Sequence, residues 1–62
     1  PRIRMLSGYY KGCSGYISSY QTSEGRRGLD VTYYITLKDQ AGIVRRTSTK
    51  HNALGKSFAP LA

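Results

Sequence analysis

Residues 29–38, LDVTYYITLK, alternate between two kinds of side chain. The odd positions are apolar or aromatic and the even positions are mostly polar: Leu29, Val31, Tyr33, Ile35 and Leu37 against Asp30, Thr32, Tyr34, Thr36 and Lys38. A period of two belongs to a β-strand with one buried face and one wet face. This segment therefore predicts a long half-buried strand, and it limits the fold more than any other feature of the chain.

The rest of the chain also favours short strands. The turn sequence Asp39-Gln40-Ala41-Gly42 precedes the β-prone run IVRRTST, so residues 29–49 predict a hairpin. Residues 2–6 and 15–21 predict two further strands, and residues 22–28 a polar loop. Residues 48–55 resemble one helical turn, and the tail 56–61 fits either a last edge strand or a cover over an open end.

A chain of 62 residues forms one domain, residues 1–62, and it buries only a modest share of its surface. A flat sheet of four or five short strands would leave one face unburied and its edges exposed. The predicted fold is therefore all-β, a small five-stranded barrel with one short helical turn near the C-terminus. Its predicted core consists of Ile3, Met5, Ile17, Tyr20, Val31, Tyr33, Ile35, Leu37, Val44 and Leu54.

Charge points to the kind of partner. Ten Lys and Arg residues stand against three acids, which gives a net charge of +7. Such an imbalance favours a polyanionic partner, of which nucleic acid is the commonest, because self-repulsion otherwise only disfavours the compact state. The alternative is a solubilising charge spread evenly over the surface.

The residues that most chemistry requires are scarce. One cysteine and one histidine allow neither an internal disulfide nor a Cys/His zinc site, and no acid adjoins Cys13 or His51 to build a catalytic set. No carboxylate pair or phosphate-binding loop is found in the sequence either. We therefore expect no enzyme activity, cofactor, metal or small-molecule substrate. The free thiol and the lack of a long apolar run predict a cytoplasmic or nucleoid-associated protein without a membrane span.

A glycine-rich turn lies between the first two predicted strands, where Gly8, Gly12 and Gly15 supply the backbone freedom that a tight barrel connection needs. The stretch GYYKGCSGYI, residues 8–17, resembles the KOW motif, which has the form G-x-x-K-G-x-x-G followed by a residue and then a hydrophobic one. The resemblance covers residues 2–28. It implies an SH3-like barrel of the kind found in large-subunit ribosomal proteins and transcription elongation factors, which mostly bind RNA or parts of the transcription machinery.

The predicted binding residues are basic or aromatic positions expected on the barrel surface: Arg4, Tyr9, Tyr10, Lys11, Arg26, Arg27, Arg45 and Lys50. Tyrosine faces suit unpaired bases, although one of Tyr9 and Tyr10 is expected to cap the barrel instead. Arg26 and Arg27 fit either a clamp on phosphates or an ordinary solvated loop. RNA is the favoured ligand. Duplex DNA, and docking on RNA polymerase, the ribosome or another acidic partner, stay open as alternatives.

Overall fold

The computed structural model describes residues 2–61 and consists of strands and turns. The strands are β1 (Arg2–Met5), β2 (Ser14–Gly25), β3 (Gly28–Lys38), β4 (Val44–Lys50) and β5 (Phe58–Pro60). One turn of 3₁₀ helix, η1 (His51–Ala53), follows β4 directly. The prediction of an all-β fold with a short helical turn near the C-terminus is confirmed.

All five strands form one antiparallel sheet in the order β4-β3-β2-β1-β5. The predicted hairpin is β3 and β4, joined by the turn in which the backbone N–H of Gly42 donates to the carbonyl of Asp39. The tail of the chain adds β5 to β1, with Met5 opposite Phe58. Of the two alternatives for this tail, the edge strand is therefore the one observed.

The sheet curls but does not close into a hydrogen-bonded barrel. The rings of Tyr33 on β3 and Phe58 on β5 lie 5.9 Å apart between centroids. In a flat sheet these strands, three positions apart, would be separated by about 14 Å. Within residues 2–61, however, no ladder joins β4 to β5. β5 is only three residues long and ends at Pro60, which has no N–H to donate. It therefore offers β4 little backbone to pair with.

The core lies inside this curl, on one face of β1 and β3. Five side chains are buried there: Ile3, Met5, Ile35, Leu37 and Phe58. Five others are partly buried and pack against them: Tyr10, Cys13, Ile17, Tyr33 and Ala53. Four of the buried residues were predicted. Phe58 was not, because nothing in its local sequence shows that the tail folds back over β1.

Tyr20 was wrongly predicted to be buried. A β-bulge between Ile17 and Ser19 turns Tyr20 toward the core side, where it lies opposite Tyr33. By this point, however, β2 has passed the end of β1, whose Arg2 is opposite Tyr16. Residues 20–25 and 28–33 thus form a hairpin that extends beyond β1, here called the ribbon, and β4 pairs with it only at Thr32 and Tyr33. Tyr20 is 69% exposed on the ribbon.

Three other predicted core residues lie at or near the surface. Val44 lies opposite Lys38, on the solvent side of the sheet, and is exposed. Leu54 follows η1 in a turn and is also exposed, while Val31 is half-buried on the ribbon, outside the core cluster. In each case the residue type fits a core, but no neighbouring element covers the position.

The glycine-rich turn requires glycine for two different reasons. Gly12 has φ +87°, a left-handed backbone in which its N–H donates to the carbonyl of Met5 at 2.9 Å. Gly15 does not have a positive φ. A Cβ there would meet the backbone carbonyl of Thr36 and would lie 2.6 Å from Cβ of Leu37. Gly12 is thus required for its backbone conformation and Gly15 for the close approach of β3.

Candidate nucleic-acid interface

The face of the sheet turned away from the core, here called the outer face, follows from the register. Directly opposed residues in antiparallel strands project to the same side. Since Ile3 and Leu37 are buried, their neighbours along each strand project outward. The basic residues of the outer face are Arg2, Arg4, Lys38, Arg46 and Lys50, and its aromatic residues are Tyr16 and Tyr34.

One row across this face combines charge with an aromatic ring. Arg2 is opposite Tyr16, Tyr16 is opposite Thr36, and Thr36 is opposite Arg46. Neighbouring strands are about 4.8 Å apart, so the row spans roughly 14 Å measured along the curled sheet, with the tyrosine between the two arginines. Tyr16 is 51% exposed. The row offers a ring face for stacking and a guanidinium at each end.

Tyr34 is the second aromatic residue of the outer face, and hydrogen bonds fix its position. Its hydroxyl donates to Oε1 of Gln21 at 2.8 Å, and its carbonyl accepts from Oγ of Ser18 at 3.0 Å. Thr36 Oγ1 donates to the same serine oxygen at 3.3 Å. These bonds hold the bulged part of β2 against β3 and keep the ring of Tyr34 in place on the surface.

The three acids of the chain lie away from this row. Asp39 is in the β3–β4 turn, Glu24 is next to the tip of the ribbon, and Asp30 is on the ribbon opposite Ser23. Half of the ten basic residues therefore project from the outer face, while the compensating charges are at the two ends of the molecule. The outer face therefore has an excess of positive charge between these two ends.

A shallow groove of about 570 Å³ runs along this part of the outer face. Its lining includes Arg2, Tyr16 and Thr36 from the row, together with Lys38 and Val44. The groove is open to solvent and lies beside a polar, cationic surface. Because it is open, it does not enclose a small molecule as typical ligand cavities do.

Four predicted binding residues lie at one end of the sheet rather than on the outer face. Tyr9 is 92% exposed, and its ring stands at 89° to that of Tyr10 with centroids 5.1 Å apart. Tyr10 packs against the core, so one tyrosine of the pair covers the core, as expected from the sequence. Lys11 is exposed in the same turn. A cleft of about 370 Å³ separates the two tyrosines from Asp39 and Gln40.

Arg45, the fourth of these, is held by an acid. Its Nε donates to Oδ2 of Asp39 at 3.1 Å. The backbone N–H groups of Ala41 and Ile43 donate to Oδ1 of the same carboxylate at 3.0 and 2.9 Å. The hydrogen bond from the Ile43 N–H lowers the pKa of Asp39 most, and the hydrogen bond from Arg45 lowers it further. The carboxylate of Asp39 in turn raises the pKa of Arg45. Part of the charge of Arg45 is thus already compensated.

Arg26 and Arg27 form the tip of the ribbon, at the opposite end of β3 from Asp39. Within residues 2–61 they form no salt bridge, but Glu24 and Asp30 are close along the strands. The tip therefore has little net charge. Of the remaining predicted residues, Arg4 and Lys50 lie on the outer face.

Sequence reasoning missed Arg2, Tyr16, Lys38, Tyr34 and Arg46 as candidate binding residues. The alternation of residues 29–38 did identify the solvent face of β3. It did not identify which residues of β1, β2 and β4 lie beside that face, because this depends on strand register. Register is specified by packing of the buried face and by turn geometry.

A metal site and a membrane-spanning helix are both absent from residues 2–61. No group of three or more His, Cys, Asp and Glu residues is arranged to hold a metal ion there. His51 is instead hydrogen bonded through Nδ1 to the hydroxyl of Tyr33, at 2.8 Å. Among residues 2–61, no helix is long and apolar enough to cross a membrane. Comparisons of the chain with protein-family models, with curated proteins and with solved structures find no match.

Proposed function

We propose that this protein is a non-catalytic RNA-binding module, and that it binds single-stranded RNA on the outer face of its sheet. The observation that supports this most is the row in which Arg2 and Arg46 flank Tyr16. Guanidinium groups pair with phosphates, while the exposed ring stacks on a base. Thr36, between Tyr16 and Arg46, donates its hydroxyl hydrogen to Ser18 and leaves its oxygen free to accept a hydrogen bond from a 2′-hydroxyl.

The shape of the surface favours unpaired RNA over a duplex. Aromatic rings on an open sheet face stack on splayed bases, whereas the bases of a duplex are already stacked on each other. Tyr16 and Tyr34 lie on neighbouring strands, two residues apart in register, so consecutive bases are within reach of both rings. The groove on this face is open to solvent, so a strand can lie across it without being enclosed.

The glycine-rich turn supports a relationship to KOW-type proteins. In that family the turn follows the first strand of an SH3-like barrel, and here Gly8 and Gly12 both have a left-handed backbone between β1 and β2. A role in translation or transcription, and contacts with the ribosome or RNA polymerase, are part of this proposal because most KOW proteins act there. A cytoplasmic or nucleoid-associated location is proposed on the same ground.

The test is a binding titration of the intact chain against single-stranded RNA, duplex RNA and duplex DNA of equal length at two salt concentrations. We expect the single-stranded RNA to bind most tightly at equal salt. Tighter binding of duplex DNA would favour the DNA alternative. Absence of binding to all three at about 50 mM salt would favour docking on an acidic protein, since counterion release makes low salt the most permissive condition.

A further inference from the structure

Three edges of the sheet in residues 2–61 offer at least three residues to a further strand away from η1, and they differ in charge. The edge of β4 includes Arg45, Arg46 and Lys50, and that of β5 is short and contains Pro60. The third edge is the part of β2 that continues past β1, residues 19–25, here called the β2 edge. Cations and proline are common protections of an edge strand against pairing with another chain.

The β2 edge lacks both protections. Residues 12–23 include no charged side chain, in a chain with ten basic residues, and Glu24 is the first charge that follows. Residues 19–25 pair with β3 on one side only, and no other backbone hydrogen bond is found for them in the described part of the chain. Their outward N–H and C=O groups form a row with no partner in the chain.

The residues around the β2 edge also suit a second protein strand. Tyr20 and Leu29 are 69% and 65% exposed on the same face of the ribbon, next to half-buried Val31. On its other side the ribbon is flanked by η1, since Leu29 and Val31 share a small pocket with His51. The β2 side therefore offers an added strand the longer unpaired stretch, since on the other side only residues 28–31 of β3 extend beyond β4.

We propose that the protein forms a symmetric dimer by antiparallel pairing of its β2 edge with the β2 edge of a second copy. Charge determines along which edge two copies can pair. A second copy has a net charge of +7, so β4 edges would repel each other, whereas the β2 edges bring no cations together. Antiparallel pairing centred near Thr22 places each Glu24 beside the uncharged start of the other edge, so like charges do not face each other.

The dimer has a consequence for the outer face. A two-fold axis perpendicular to the sheet keeps the outer faces of both copies on the same side of one continuous sheet. The basic row of each copy then belongs to a single extended surface. The dimer does not depend on the ligand, and its test needs no nucleic acid.

Sedimentation velocity of the intact chain between about 1 µM and 1 mM tests the proposal, a range that covers weak to moderate self-association. We expect a concentration-dependent shift from the 6.9 kDa chain to twice that mass. Thr22→Lys places two lysines against each other at the centre of the interface and should raise the dissociation constant at least about tenfold. Ser48→Lys adds the same charge at an exposed position on β4 and should change it little.

A monomer over the whole range would overturn the proposal, and so would equal effects of the two substitutions. Circular dichroism of both variants shows whether they are folded. Amide hydrogen exchange of the unmodified chain gives an independent result that needs no variant. Alternate amides of residues 19–25 should exchange more slowly at about 1 mM than at about 10 µM, and equal rates would also overturn the dimer.

Discussion

Nε of Arg45 donates a hydrogen bond of 3.1 Å to Oδ2 of Asp39, and this bond ties strand β4 to the turn that precedes it. The same carboxylate caps the turn by accepting from the backbone N–H groups of Ala41 and Ile43. Arg45, which the sequence predicted to bind nucleic acid, is thus paired with Asp39 within the protein. All three donors favour the ionised form of Asp39, which makes the turn sensitive to acid.

The first prediction concerns this sensitivity. The pKa of Asp39 is lowered below its ordinary value of 3.8, chiefly by the hydrogen bond from Ile43 and then by Arg45. The stability that this provides is complete above the ordinary pKa and is lost as the pH falls through the lowered value. Urea unfolding should show a lower midpoint at about pH 2 than at about pH 6.

The matched variants are Asp39→Asn and Asp30→Asn. Asp39→Asn should reduce the pH dependence of the urea midpoint, because the titrating group is gone. Asp30 accepts no hydrogen bond in the described part of the chain, and Asp30→Asn should leave most of the dependence in place. An unchanged dependence in Asp39→Asn would show that other carboxylates cause the acid effect.

The second prediction ranks three glycine substitutions by their cost in free energy of unfolding. Gly15→Ala should be the most costly, because its Cβ would meet the backbone of Thr36 and Leu37, which cannot move away without breaking the β2–β3 ladder. Gly12→Ala has open space around it but a left-handed φ, for which about 1–2 kcal/mol is typical. A Cβ at Gly25 would be crowded by the movable Oδ2 of Asp30 and otherwise makes ordinary contacts, so Gly25→Ala should cost less.

Thermal or urea unfolding of the three alanine variants measures this order. Equal losses at Gly12 and Gly25 would contradict the role of Gly12 in the turn. A loss at Gly15 no larger than that at Gly12 would mean that β2 and β3 can separate locally at little cost.

The third prediction concerns the salt dependence of binding. If the five cations of the outer face each neutralise one phosphate of single-stranded RNA, log K should fall against log [salt] with a slope of about −3.5. Removing Arg2 and Arg46 together should flatten this slope by about 1.4, by the same rule. Fluorescence anisotropy with a labelled oligonucleotide at four or five salt concentrations gives the slope.

The control for this experiment is the double variant Arg26→Ala/Arg27→Ala, which removes the same charge from the tip of the ribbon. We expect a smaller change of slope, since Glu24 and Asp30 already compensate the tip. If the tip variant flattens the slope and the Arg2/Arg46 variant does not, the phosphate contacts lie on the ribbon. Equal flattening would extend the interface along the whole of β3.

The fourth prediction separates stacking from charge. Tyr16→Ala should weaken the binding of single-stranded RNA by about 1–3 kcal/mol without a change of salt slope, because stacking releases no counterions. Tyr16→Phe should bind nearly as well as the unmodified protein. Duplex DNA should be nearly indifferent to either change.

Tyr9→Ala is the companion variant, since this ring is almost fully exposed and its removal should not disturb folding. A loss at Tyr9 as large as that at Tyr16 would place a further base at the β1–β2 turn. Tyr10 is less suitable for this test, because it packs against the core and its loss would combine folding with binding. An effect of Tyr16→Ala on duplex and single strand alike would contradict stacking on unpaired bases.

The sequence alone was sufficient for the features that depend on neighbours along the chain. The alternation of residues 29–38 predicted β3 and both of its faces, because side-chain direction in a strand has a fixed period of two. The turn at residues 39–42 and the left-handed glycines of the β1–β2 connection were predicted from local backbone preferences. The structure agrees with each of these.

Only the tertiary structure decided which strands lie side by side and in which register. The bulge at Ser18 reverses the faces of β2, so Tyr16 projects outward and Tyr20 does not. The register of β1 and β4 then aligns Arg2 and Arg46 with Tyr16, while the return of the tail buries Phe58. These outcomes depend on contacts between residues distant in sequence, which are selected by burial of a shared core and leave no local signal in the chain.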